Sequence, residues 1–209
     1  MEEVLDIYKK PYNKAFPVVC MDESPRQLIE ETQVPISCSP GQPARYDYEY
    51  RRKGTCNIFI ASEPLAGKRL TKVTEQRTSI DWAIFMKELS AHYDEAEKII
   101  LVMDNLNTHK GASFYEAFEA PEARDLRKRF EFIYTPKHGS WLNMAEIELR
   151  VLVGQSLQRR IGHIEKMKKE IATWQKQRDA ETCKTNWRFT TGDARIKLKR
   201  LYPCISCMT

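Results

Sequence analysis

The stretch "KIILVMDNLNTHK", Lys98 to Lys110, decides how the rest of the chain is read. Five apolar residues, Ile99 to Met103, end abruptly in Asp104 and Asn105, with His109 close behind. A short apolar run rich in β-branched residues reads as a buried strand. A second stretch has the same shape: "FPVVCMDES", residues 16–24, is an apolar run closed by Asp22. Sites in mixed α/β sheets form where strand ends come together. Two carboxylates at two strand tips would repel each other at neutral pH unless a cation lay between them. A hard divalent ion such as magnesium, which takes oxygen ligands, answers that problem.

Outward from these two runs the chain alternates between strand and helix patterns. Residues 23–45 carry Pro25, Pro35, Pro40, Gly41 and Pro43 and read as loop and turns. Residues 45–64 read as two strands joined across "RRKGT", because Tyr46, Tyr48 and Tyr50 alternate with charged residues. Residues 68–76 read as a third antiparallel strand. Residues 78–93 have helical spacing, with Thr78 or Ser79 placed to cap. One or two short helices broken near Pro121 come next, and then a strand, "FEFIY", stopped by Pro136. A helix is expected from Trp141 to about Arg160, and a second, basic one over residues 162–180. The final segment, 186–203, has a break expected at Gly192.

Three antiparallel strands followed by alternating helices and strands define an α/β fold with a mixed sheet. That order matches the ribonuclease H-like topology. The expected organisation is a catalytic domain over residues 1–160 and a basic helical C-terminal extension over 161–209. Charge supports the division. Residues 150–200 carry 14 Lys and Arg against 5 Asp and Glu, whereas residues 1–149 carry 20 against 24. A basic third on an acidic body suggests a polyanion approached from one side, although a solvated helical face produces the same count. Lys166, Lys168 and Lys169 are the candidate contacts.

No apolar run approaches the roughly 20 residues of a membrane helix, and "MEEVLDIYKK" is too charged for a secretory signal. A cytoplasmic location without a membrane partner is the expectation. The six cysteines are then expected to be reduced. Cys204 and Cys207 form a CxxC with no second pair to complete a zinc site.

A third carboxylate comes from "TPKHGSWLNMAEIELRVL", residues 135–152. A turn at Pro136, Gly139 and Ser140 leads into a helix whose first turns hold Glu146. Leu142, Leu149 and Val153 flank a face that could pack on the sheet. Glu148 lies about 200° further around the helix, so only one of the two can face the aspartates. An ion pair of Glu146 with Arg150 is the plainer reading of the same residue. Lys137 precedes the helix as a candidate DNA-backbone contact. Trp141 is expected to cover the core.

Together "VVCMDES", "ILVMDNLNTHK" and "YTPKHGSWLNMAEIE" resemble the three catalytic blocks of DDE transposases, and most closely the mariner-type transposases of bacterial insertion sequences. The resemblance spans residues 16–160. It implies a catalytic, metal-binding triad of Asp22, Asp104 and Glu146 holding two Mg2+ or Mn2+ ions. Asn105, His109 and Asn143 fall on auxiliary positions of the blocks. Met144 and Ala145 stand where the family has Pro-Ile, and 41 residues separate Asp104 from Glu146. The implied activity is cleavage of DNA phosphodiesters and strand transfer of an insertion sequence. The implied partners are DNA, as element ends and target, and further copies of the chain assembled on it. Family members place helix-turn-helix domains before the catalytic one, so such a DNA-binding region is expected from an upstream reading frame. The rival expectations are a nuclease of the same fold that cuts without joining, and an inactive DNA-binding remnant.

Overall fold

The computed structural model describes residues 1–106 and 110–202. Its centre is a five-stranded sheet in the order β3-β2-β1-β4-β5. The strands are β1 (Val18–Glu31), β2 (Tyr50–Glu63), β3 (Lys68–Thr74), β4 (Ile99–Met103) and β5 (Phe130–Tyr134). β2 runs antiparallel to both β1 and β3, whereas β4 lies parallel to β1 on one side and to β5 on the other. This is the mixed α/β sheet of the ribonuclease H-like fold.

Alternation of side chains along the strands gives the sheet two apolar faces. Val19, Met21, Phe59, Leu101 and Met103 point to one face. There they meet α2 (Ser79–His92), α3 (Ser113–Ala117) and α4 (Ala120–Arg129). Cys20, Ile58, Ile60, Ile100 and Val102 point to the other. That face is covered by α1 (Glu2–Tyr8), α5 (Ala145–Ser156), α6 (Ile164–Ala180) and α7 (Thr191–Lys197). The basic segment beyond residue 160 therefore shares the core of the sheet: Met167, Ile171 and Trp174 of α6 are buried in it.

Helix starts follow their chemistry. Thr78 caps α2 in a reciprocal box with Asp81, and Thr190 does the same for α7 with Asp193. Gly192 thus lies inside the first turn of α7, not at a break. Pro121 sits at the start of α4, where its missing N–H is not needed.

Two expectations from the sequence fail in the hairpin between β1 and β2. β1 does not stop at Asp22; it runs on through Pro25 to Glu31. Proline is tolerated there because β1 pairs with β4 only over Val18 to Cys20 and is an edge beyond that point. The free edge is partly closed by Ile29, whose N–H donates to the Ile161 carbonyl at 3.0 Å. "RRKGT" is likewise not a turn but the middle of one long strand, β2. Its Gly54 has φ +111° and sits where the β1–β2 register slips between Gln27 and Ile29. A left-handed glycine absorbs the extra residue of a β-bulge.

Candidate active site

Asp22 and Asp104 are brought together by strand register. Val18, Val19 and Cys20 of β1 pair with Ile100, Leu101 and Val102 of β4. Continuing that parallel register by two residues sets Asp22 level with Asp104. Both follow buried residues of one face, Cys20 and Val102, so both side chains belong to the face covered by α5. Asp22 therefore lies within β1, at the point where β4 stops and leaves its flank open.

Asp104 is fixed from the neighbouring strand. Thr135, just past the end of β5, donates from its hydroxyl to Asp104 Oδ1 at 2.7 Å and from its N–H to the Met103 carbonyl at 3.0 Å. The sequence reading did not single out Thr135. The only signal was its place at the close of "FEFIYTP", beside the strand that ends in Asp104.

The third block is seated on β1 by Asn143. Its side chain is buried, donates to the Met21 carbonyl at 2.8 Å and accepts from the Ala145 N–H at 3.1 Å. One amide thus ties the residue next to Asp22 to the first turn of α5. A short 3-10 turn, Ser140–Leu142, precedes α5, which begins at Ala145 rather than at Trp141. Tyr8 of α1 supports the same loop, donating to the Leu142 carbonyl at 2.7 Å. Nothing in the sequence pattern singled out Tyr8.

Glu146 is exposed in the first turn of α5. Glu148 faces elsewhere. It is buried and receives two hydrogen bonds from Arg69 of β3 and two from Arg178 of α6. Of the two, Glu146 is the α5 carboxylate whose charge acts on Asp22. Burial pushes the Asp22 carboxyl up to about 7, opposed by a 2.8 Å hydrogen bond from the Glu23 N–H and reinforced by the charges of Asp104, Glu23 and Glu146.

The donor set suits a hard divalent cation: three carboxylates, one of them holding its proton toward neutral pH chiefly because it is buried and secondarily because other carboxylates lie near it. Among the described residues no three His, Cys, Asp or Glu side chains are gathered closely enough to hold a metal ion. The carboxylates share a face and a field without forming a three-ligand cluster. Carboxylates with no cation between them repel.

The other sequence candidates fall as follows. Asn105 is exposed directly after Asp104, and Lys137 is exposed in the loop before α5. Lys166, Lys168 and Lys169 are exposed on α6, with Lys168 beside Glu165 at 2.7 Å. His109, Cys204 and Cys207 lie outside the described residues. Trp141 does not cover the core. It is 42% exposed and packs on Trp187 and Phe189, because the 3-10 turn buries Leu142 instead. No described helix is long and apolar enough to cross a membrane.

The ribonuclease H-like sheet carries aspartates on β1 and just past the end of β4, and α5 carries a glutamate, the carboxylate set that the resemblance in sequence implies. Residues 17–168 match the DDE superfamily endonuclease family, and the chain belongs to it. No curated protein matches the chain. Among solved structures it is similar to the Mos1 mariner paired end complex with Mn, at 18% identity over 87% of this chain and 54% of that one, TM-score 0.56. It is similar to the Mos1 paired end complex with Mg, at 17% identity over 95% and 58%, TM-score 0.58. The Mos1 strand transfer complex matches at 15% identity over 95% and 56%, TM-score 0.57. The chain thus spans a little over half the length of these proteins, and at such identity the likeness is one of fold.

Proposed function

We propose that this chain is the catalytic part of a mariner-type transposase, cutting DNA phosphodiesters at the ends of an insertion sequence and joining them to target DNA. The observation that carries the reading is the level placement of Asp22 and Asp104 on parallel strands, with Glu146 seated beside them by the bond from Asn143 to Met21.

Asp22, Asp104 and Glu146 would hold two Mg2+ or Mn2+ ions. When bound, such ions stabilise charge on phosphate oxygens and lower the pKa of water or a 3′-hydroxyl. The chain's own residues do the positioning. Thr135 fixes the rotamer of Asp104, and Asn143 fixes the distance between β1 and α5. Asp22, half-buried and short of positive charge, gives up its proton readily once a cation approaches. Lys137 and the α6 lysines lie ready for the DNA backbone, whose contacts position a duplex without reading its sequence. Residues 1–160 then supply the chemistry and residues 161–209 a basic flank. The assembly is a homo-oligomer on DNA, working in the cytoplasm. Solved Mos1 complexes with paired ends, Mg and Mn support the choice of partner and ion.

The test is nicking of supercoiled plasmid with and without Mg2+ or Mn2+, beside joining of a pre-cut 3′ end into a target plasmid. Metal-dependent nicking lost in Asp22→Asn, Asp104→Asn and Glu146→Gln is expected, together with joining. Nicking without joining would make the protein a nuclease of the same fold. Nicking that survives all three substitutions would overturn the site, and wild-type protein that binds DNA without nicking it would mark an inactive remnant.

A further inference from the structure

Most arginines on the α5 side of the sheet are spoken for. Arg69 and Arg178 meet Glu148, Arg159 meets Glu170, and Arg160 meets Glu31. Arg26 and Arg150, which border one groove, make no hydrogen bond or ion pair with any described residue. The Nε of Arg26 is moreover closed off from solvent without a partner. A buried guanidinium N–H left unmatched is a cost that a ligand oxygen would remove.

Their placement is not random. Arg26 lies four residues beyond Asp22 on β1, on the same face by alternation and about 13 Å along the strand at a usual rise. Arg150 lies one helical turn beyond Glu146 on α5. Between them runs an open groove of about 400 Å³, lined by Arg26, Leu149, Arg150, Val153, Gly154 and Gln158. Gly154 sits within α5, where glycine weakens a helix relative to alanine. A Cβ there would touch nothing in the protein within 4 Å. The packing of the chain gives no reason for a glycine at that point. Close approach of a ligand's backbone to the helix gives one.

We propose that Arg26 and Arg150 form a phosphate subsite, gripping the DNA strand that leaves the carboxylates along β1 and over Gly154. The proposal rests on the nucleic-acid reading of the site above. Guanidinium forks match phosphate oxygens in geometry and charge, and two of them on opposite walls fix the direction in which a strand passes.

The experiment is the salt dependence of binding to a short mixed-sequence DNA duplex, measured without divalent metal so that no strand is cut. Arg26→Gln and Arg150→Gln should each flatten the slope of log affinity against log salt by about 0.9, and the pair together by about twice that. Arg26→Lys and Arg150→Lys, which keep the charge, should keep the slope. Arg124→Gln, an equal charge change on α4 across the sheet, should leave it unmoved. Gly154→Ala should melt higher than the wild type and yet bind more weakly. Should Arg26→Gln fail to fold, Arg150→Gln and Gly154→Ala decide the matter. Wild-type slopes in folded Gln variants, or an equal loss in Arg124→Gln, would overturn the subsite. The catalytic reading fails separately: a wild type that binds with the expected slopes but never nicks plasmid sinks that reading and leaves the subsite standing.

Discussion

The Arg69 guanidinium meets the Glu148 carboxylate in a two-bond fork, Nε to Oε2 at 2.7 Å and Nη2 to Oε1 at 3.1 Å, with both side chains about 97% buried. Arg178 adds a second fork from α6 at 3.1 and 3.2 Å. Burial alone would raise the Glu148 carboxyl, but hydrogen bonds from Arg69 and Arg178 outweigh it and hold the group below the ordinary range. The network locks the rotation of α5 two residues from Glu146 and joins it to β3 and α6.

Removing one member of such a network strands the others. Glu148→Gln or Arg69→Met should destabilise the fold by about 3–5 kcal/mol, the usual cost of breaking a buried pair from one side. Chemical denaturation measures it. A change under about 1 kcal/mol would mean that the network is solvated in solution and does not set the angle of α5.

The elements that carry Asp22, Asp104 and Glu146 are legible in the sequence because their signals are local. Ile99 to Met103 is apolar throughout since β4 is central and covered on both faces, and Asp104 breaks that run where its strand pairing ends. The β1–β2 hairpin was misread because its punctuation is answered by tertiary context. Pro25 is harmless on an edge and Gly54 serves a bulge, yet both look like turns in one dimension. Thr135 and Tyr8 were not singled out because their roles are contacts between elements distant in sequence, and spacing does not carry that information. The choice of Glu146 over Glu148 was open in the sequence. Arg69 and Arg178, 79 and 30 residues away, occupy Glu148, and that contact favours Glu146 for the proposed site.

Asn143 gives a more local test. Asn143→Ala removes a buried donor to the Met21 carbonyl and an acceptor from the Ala145 N–H. The stranded backbone groups should cost about 1–3 kcal/mol in stability. Because the lost bonds join the strand of Asp22 to the helix of Glu146, nicking should fall further than the stability loss explains. Assays at a temperature where the variant is fully folded would show this. Wild-type nicking there would reduce Asn143 to a helix-start residue.

Lys166, Lys168 and Lys169 lie exposed on α6, which is anchored by Met167, Ile171 and Trp174. Replacing all three with Gln should leave the melting temperature nearly unchanged, since no buried contact is lost. If each lysine holds one phosphate, the salt slope of duplex binding should flatten by about 0.9 per contact. The weakening should be equal for all DNA sequences, because backbone contacts carry no direct sequence information. An unchanged slope would show α6 to be a solvated face, with its charge serving solubility alone.

The last prediction concerns Asp22 and pH. Burial is the main cause that lifts its carboxyl to about 7, against an ordinary value of about 3.9. The folded protein therefore keeps that proton up to near-neutral pH, whereas the unfolded chain releases it near pH 4. Between those values the folded state binds more protons, so stability falls as pH rises through the window and levels off above about 7. Asp22→Asn, a neutral residue of the same shape, should melt above the wild type by a margin that grows from pH 5 to pH 8, at roughly 2–4 °C per kcal/mol for a chain of this size. Adding Mn2+ should change the order. An ion bound only by the folded state raises its melting temperature by mass action, and Asp22 is one of its ligands in the proposed site. Wild type should then gain stability at pH 8, and Asp22→Asn should gain much less. Thermal melts at the two pH values, in chelator and in Mn2+, measure all four quantities. Melting curves for the variant that run parallel to the wild type across pH, with equal gains in Mn2+, would show that Asp22 neither holds a raised proton nor binds the metal.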